Sequence, residues 1–209
     1  MAANLERSKP PQRVGLTSEE LARRVQGGSE ASFAELVNRF GPRLFHYFQQ
    51  KIFSREDCED LVQDTLVKAY RNIHLYQISR PFGTWIFTIG TRRMVDFFRT
   101  QGRKPMTSIP QDLPAESNPF DSAVRREKKR NLWAHARSLP GRQFEALWLR
   151  YAEEMSIKEI AQVLGMSCVH VKVILFRARN RLAKLQPLDG ASQDDKDHGE
   201  VLKEMLSCR

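Results

Sequence analysis

The sequence predicts an all-α protein of two small helical domains joined by a flexible linker, the second of them a helix-turn-helix domain. Three observations carry this. Apolar residues recur at spacings of three and four nearly throughout, and Val, Ile and Thr nowhere alternate with polar residues long enough to suggest a strand. The stretch from Gly102 to Pro119 holds four of the chain's ten prolines and interrupts the periodicity. A capping pair, a glycine and an apolar seam then follow one another between Ser156 and Leu185 at helix-turn-helix spacing.

The elements follow in order. Residues 1–16 read as an N-terminal arm, 17–102 as the first domain, 103–119 as the linker, 120–185 as the second domain and 186–209 as an acidic tail. Thr17 with Glu20 forms a capping box that opens a short helix. A second helix is expected from about Glu30 to Ile52, with Phe33, Leu36, Val37, Phe40 and Leu44 on one face and a kink at Gly41-Pro42. Ser54 caps a third, with acids in its first turn where the helix dipole favours them. Cys58, Leu61, Val62, Leu66, Ala69 and Tyr70 are its expected buried side. Pro81 suits the first turn of a fourth helix running to about Gln101, and helical periodicity resumes near Phe120.

The formal net charge of +9 points to a polyanionic partner, nucleic acid first and an anionic membrane second. No run approaches 18 apolar residues, and the start lacks the apolar core of a signal peptide, so a cytoplasmic protein is expected. Cys58, Cys168 and Cys208 are few, odd in number and far apart, which fits neither a disulfide framework nor a zinc site. No metal and no cofactor is expected. Paired carboxylates with a metal pattern, a phosphate loop and a placed nucleophile are all missing, which argues against an enzyme.

The second domain carries the clearest motif. Ser156 and Glu159 make another capping box, and Ile157, Ile160, Ala161 and Leu164 form an apolar stripe. Gly165 falls where the chain must turn sharply. Ser167 caps the next helix, whose seam is Val171, Leu175, Ala178, Leu182 and Leu185. Its other face bears Lys172, Arg177, Arg179, Arg181 and Lys184. The N-terminal part of such a helix enters the major groove, which makes Cys168, His170, Lys172, Val173, Phe176 and Arg177 the candidate readers. An ordinary helical hairpin with a solvated basic face is the competing reading.

The first domain has two helices of opposite character. In "RPFGTWIFTIGTRRMVDFFRTQGRK", Arg92, Arg99 and Arg103 share a stripe interrupted by Asp96, beside many aromatics. Cations that hold phosphate and rings that stack on bases suit single-stranded nucleic acid, although most of these aromatics, Trp85 above all and Ile89 with it, are more often core than base platform, which leaves the arginine stripe as the better functional candidate. In "SREDCEDLVQDTLVKAYRNI", Glu56, Asp60 and Asp64 stand at successive intervals of four with Glu59 beside them. DNA repels such a face. It is either simply solvated or a docking surface for a basic protein.

Three segments, "EDCEDLVQDTLVKAYR", "TWIFTIGTRRMVDFFR" and "EEMSIKEIAQVLGMSCVHVKVILFRARNRL", resemble in that order the hallmark segments of extracytoplasmic-function (ECF) sigma factors, the two-domain members of the sigma-70 family. The resemblance covers about Ser32 to Leu185. It implies a protein that binds core RNA polymerase through its β′ and β subunits, directs it to promoter DNA and takes part in melting, with an anti-sigma factor as a further partner the family allows. The first domain corresponds to sigma region 2 and the second to region 4. The acidic face for β′ is matched by Glu56, Asp57, Glu59, Asp60, Gln63 and Asp64. The −10 element falls to Trp85, Arg92, Arg93, Arg99, Arg103 and Lys104, and a loop from about His74 to Gly83 to a flipped base. The −35 element falls to Ser167, Cys168, His170, Lys172, Val173, Phe176 and Arg177. The tether is compatible: ~25 base pairs span on the order of 85 Å, and ~18 linker residues reach up to roughly 60 Å.

The chain departs from the family pattern in places. Arg92 stands where the −10 helix usually has Asn. The recognition helix reads Val169, His170, Val171, Lys172, Val173, Ile174, so that a hydroxyl and an Arg give way to apolar groups, and a −35 sequence other than the family's common one is expected. The tail carries a small net negative charge next to a basic helix and is expected either to fold back on it or to remain a solubilising extension. The rival to a sigma factor is a helix-turn-helix regulator that binds duplex DNA alone.

Overall fold

The computed structural model describes residues 15–100, 133 and 135–185. The N-terminal arm before residue 15, the linker, the start of the second domain, Arg103, Lys104 and the acidic tail lie outside the described residues. Seven helices are formed among them: α1 (Ser18–Gln26), α2 (Glu30–Gln49), α3 (Arg55–Arg71), α4 (Phe82–Thr100), α5 (Gly141–Tyr151), α6 (Ile157–Leu164) and α7 (Cys168–Leu185), with a 3₁₀ turn at Ile73–Leu75. Trp133 and residues 135–137 are also helical, and no strand occurs among the described residues.

Local chemistry starts most helices where the sequence predicts. Thr17 Oγ1 accepts the Glu20 amide and the Glu20 carboxylate accepts the Thr17 amide at 2.7 Å. Ser54 accepts from the Asp57 amide at 3.1 Å, and Ser156 and Glu159 form the second reciprocal box. Gly165 closes α6 with φ 64°, a left-handed conformation in which a side chain would be strained. Ser167 Oγ then accepts the His170 amide at the start of α7.

The start of α4 is different. Pro81 precedes the helix rather than entering its first turn, and its carbonyl accepts the Trp85 amide. The Phe82 amide donates to Glu19 Oε1 at 2.9 Å, so a carboxylate from α1 caps α4.

Two further expectations are corrected. Helix α2 stops at Gln49 rather than about Ile52, and Pro42 lies within it without ending it. Proline removes one helical hydrogen bond, but Phe40 and Leu44 flank it and both are buried, so packing holds the helix on either side. Tyr70 is 44% exposed rather than buried, because its ring lies across Phe33 (centroids 4.7 Å apart) at the rim of a groove.

The first unit packs α3 against α4 and α2 against α1 and α3. At Gly90 an added Cβ would meet Phe48 Cζ at 3.1 Å and Leu44 Cδ2 at 3.2 Å, which shows how closely α4 approaches α2. In the second unit α7 packs on α5 and α6. The two units also touch, chiefly through α4 against α6, and their buried apolar residues form one continuous core.

Polar contacts cross the same boundary. Arg43 grips Glu153 through Nε at 2.9 Å and Nη2 at 2.5 Å. Lys51 pairs with Glu145, Thr84 donates to Glu159 at 2.9 Å, and Arg137 donates to Gln50 at 3.3 Å.

Candidate functional site

Helix α3 presents Glu56, Glu59, Asp60, Gln63 and Asp64 to solvent, with Asp57 half-buried. Its opposite side, from Cys58 and Leu61 to Leu66 and Ala69, is buried and fixes the orientation of the acids. Burial also pushes the Cys58 thiol up to about 12, so it is a packing group rather than a thiolate. Arg55 pairs with Glu59 at 2.7 Å, and Arg93 of α4 pairs with Asp64 at 2.6 Å. Glu56 and Asp60 are exposed beside these pairs.

Beside this face lies an open groove of about 1550 Å³ between α2 and α3, lined by Phe33, Val37, Phe45, Val62 and Leu66, with Tyr70 at its rim. Glu59 and Gln63 line it too, so the acidic face and the apolar groove form one surface. Phe53 and Val67 stand at the groove 45% and 41% exposed. Sequence reasoning missed this half of the surface. Val67 lies one position off the buried face of α3, and exposure there depends on the width of the gap to α2.

On α4 the structure brings out Arg92 and Arg99 as exposed side chains, with Val95 between them 50% exposed. Arg99 leans on Asp96 at 3.1 Å. Arg93 turns the other way, toward Asp64. Trp85 is half-buried between Tyr76 and Phe82, at 5.3 and 5.6 Å, so one edge of an aromatic cluster is left accessible. The preceding loop is held in place: Gln26 donates to the carbonyls of Ile73 and Tyr76, and the Tyr76 hydroxyl donates to the Arg80 carbonyl. His74 and Leu75 are exposed on it.

On α7 all seven predicted readers, Ser167, Cys168, His170, Lys172, Val173, Phe176 and Arg177, are exposed, and so is Val169. The seam Val171, Leu175, Ala178 and Leu182 is buried against α5 and α6. No carboxylate occurs between Cys168 and Leu185. This helix is far in character from α3, and the contacts between the units leave its first turns uncovered.

Three acids of the second unit occupy the boundary. Glu145 and Glu153 have side chains 3% exposed, and Arg142 adds a second contact to Glu145 at 3.2 Å. Burial pushes the Glu153 carboxyl above its ordinary range, against the pull of Arg43. For Glu159 burial pushes the same way, but hydrogen bonds from Ser156 and Thr84 outweigh it and hold the carboxyl below the ordinary range. Among the described residues no group of His, Cys, Asp and Glu is arranged to hold a metal, and no single helix is long and apolar enough to cross a membrane.

Comparison with known proteins bears on these surfaces. The family model for sigma-70 region 2 matches residues 36–104, which include α3 and α4, and that for sigma-70 region 4 matches 130–182, which include α5, α6 and α7 up to Leu182. Together they cover more than half of the chain. The chain is 29% identical over 188 residues to the ECF RNA polymerase sigma-E factor of Haemophilus influenzae, a match spanning 83% of this chain and 97% of that protein. It is 28% identical over 174 residues to the ECF RNA polymerase sigma factor BldN of Streptomyces coelicolor, spanning 81% of this chain and 66% of BldN. Among solved structures it is similar to the sigma factor RpoE of Bartonella quintana in complex with the anti-sigma factor NepR. That match has a TM-score of 0.58 at 25% identity and covers 76% of this chain and 98% of that one.

Proposed function

The chain belongs to the extracytoplasmic-function sigma factors of the sigma-70 family, and from that premise we propose how its surfaces divide the work of transcription initiation. It is a sigma factor: it binds core RNA polymerase and promoter DNA and directs initiation. The family is non-catalytic, and the proposal assigns this chain no reaction of its own and a cytoplasmic place of action. An anti-sigma factor, such as the partner of the Bartonella protein, is a further partner.

One observation carries the division of labour. Two exposed helix faces on one chain have opposite charge: the acids of α3, and the acid-free, basic α7. A factor that must hold a protein and a polyanion at once needs two such faces, because either alone repels one partner. Glu56, Asp57, Glu59, Asp60, Gln63 and Asp64 dock the β′ subunit, with the adjoining groove taking its apolar side chains. Arg92 and Arg99, with the accessible edge of Trp85, hold the melted −10 strand, joined by Arg103 and Lys104, whereas Arg93, paired with Asp64, stands on the α3 side. The first turns of α7 read the −35 element.

This reading requires the units to separate. A compact chain of this length is roughly 40–45 Å across, whereas two elements ~25 base pairs apart lie on the order of 85 Å from each other. The Arg43–Glu153 and Lys51–Glu145 contacts therefore belong to a state that precedes promoter binding. Run-off transcription tests the reading. The chain should give promoter-dependent transcripts only with core polymerase, and specific duplex binding equally strong without core polymerase would favour a stand-alone regulator.

A further inference from the structure

The first turns of α7 present an apolar stripe that the fold does not use. Val169, Val173 and Phe176 follow one another at intervals of four and three, so they share a helix face. They are 72%, 39% and 57% exposed. The same helix has already completed its core contacts through Val171, Ile174, Leu175 and Ala178, all buried on the other side. Nothing in the packing of the second unit accounts for three large apolar side chains in water.

Resting on the sigma-factor reading, we propose that Val169, Val173 and Phe176 determine −35 specificity by packing against thymine 5-methyl groups in the major groove. Charge decides the occupant. The stripe is flanked by His170, Lys172 and Arg177, and α7 continues with Arg179, Arg181 and Lys184 and without a carboxylate. An apolar protein segment docked there would desolvate these cations without pairing them. A DNA backbone neutralises them on both sides while the stripe faces the base edges.

The chemistry of the groove then selects the base. The thymine methyl is the one apolar feature in the major groove, whereas guanine and cytosine present acceptors or a donor. A valine opposite cytosine leaves the N4 amino group unpaired, so the stripe discriminates twice: it gains a buried methyl at A·T pairs and imposes a lost hydrogen bond at G·C pairs. The hydrogen-bonding readers left in the first turns, Ser167, Cys168 and His170, stand beside the stripe rather than within it.

The test uses holoenzyme assembled from the full chain and core polymerase. A promoter sequence is enriched from a randomised duplex pool, and its −35 duplex is remade with deoxyuridine for each thymidine in turn, which removes one methyl and nothing else. Wild type should bind about fourfold more weakly for each methyl the stripe covers, with the thymidines elsewhere in the duplex indifferent. In Val169→Ala/Val173→Ala, both sites being exposed, the fold should persist and the methyl dependence should fall to the thymidines that Phe176 alone covers. Equal binding of all duplexes by wild type would overturn the inference and leave the sigma-factor reading standing. So would loss of core polymerase binding in the double variant without any methyl dependence. Failure of the holoenzyme to enrich any sequence would overturn the sigma-factor reading itself and this inference with it.

Discussion

The acids of α3 and the acids of the second unit are the same chemical groups kept under opposite conditions. Glu56, Glu59, Asp60 and Asp64 stand in water, and the two that are paired, Glu59 and Asp64, are held by arginines at the surface. Glu145 and Glu153 are 3% exposed, and each is met by a cation from α2 or the residues just after it. Exposed charges cost little to keep and are free to choose a partner. Buried charges fix an arrangement, and in the proposed open state each would regain hydration, which would make the contact specific without being permanent. On the proposed reading, the chain keeps its docking charges and its closing charges on separate elements.

Breaking one buried pair should have the largest effect. Lys51→Met leaves Glu145 buried with Arg142 alone, and the closed arrangement should lose roughly 3–5 kcal/mol. Chemical denaturation with small-angle scattering would show lower stability and a larger radius. Lys51→Met combined with Glu145→Leu should restore a compact particle at least as stable as wild type. That double variant should also transcribe less in run-off assays, since it resists opening.

Glu153 sharpens the comparison through pH. Its carboxyl lies above the ordinary range in the folded chain, so its contribution is fully present below the ordinary value of about 4.5 and is lost as pH rises through the raised value. Arg43→Ala should widen that window and steepen the fall, because the cation opposing the burial cost is gone. Glu153→Gln should flatten this part of the profile. Denaturation at a series of pH values from 4 upward would read both. On the DNA side, Arg92→Ala/Arg99→Ala should lower open-complex formation several-fold with stability nearly unchanged, as read by permanganate reactivity of the melted strand. Unchanged reactivity would remove α4 from promoter melting.

What the sequence revealed of this molecule is what local chemistry decides. Thr17, Ser54, Ser156 and Ser167 each cap within three residues of themselves, and Gly165 terminates α6 by its own backbone freedom, so the helix starts and the turn could be read directly. The charged faces of α3 and α7 were legible for the same reason, since helical spacing alone places them. Long-range contacts were not legible. Glu19 caps α4 from 63 positions away, and Lys51 meets Glu145 across 94. The groove beside α3 was hidden too, because the exposure of Phe53, Val67 and Tyr70 depends on the gap left by α2. Val169 was not among the readers the sequence suggested, although Val173 and Phe176 were, and its exposure singles it out.

The smallest effect on the fold is the most telling for function. Asp60→Lys with Asp64→Lys alters two exposed carboxylates, one of them in a surface pair with Arg93, and stability should change by no more than about 1 kcal/mol. Core polymerase should nonetheless be lost from the complex, because the charge that orients docking is reversed. Pull-down of core polymerase by the purified double variant, with its melting curve measured alongside, tests the central claim most directly. The account predicts a folded protein that no longer retains the polymerase; a folded protein that retains it undiminished would contradict the assignment of α3 as the docking face.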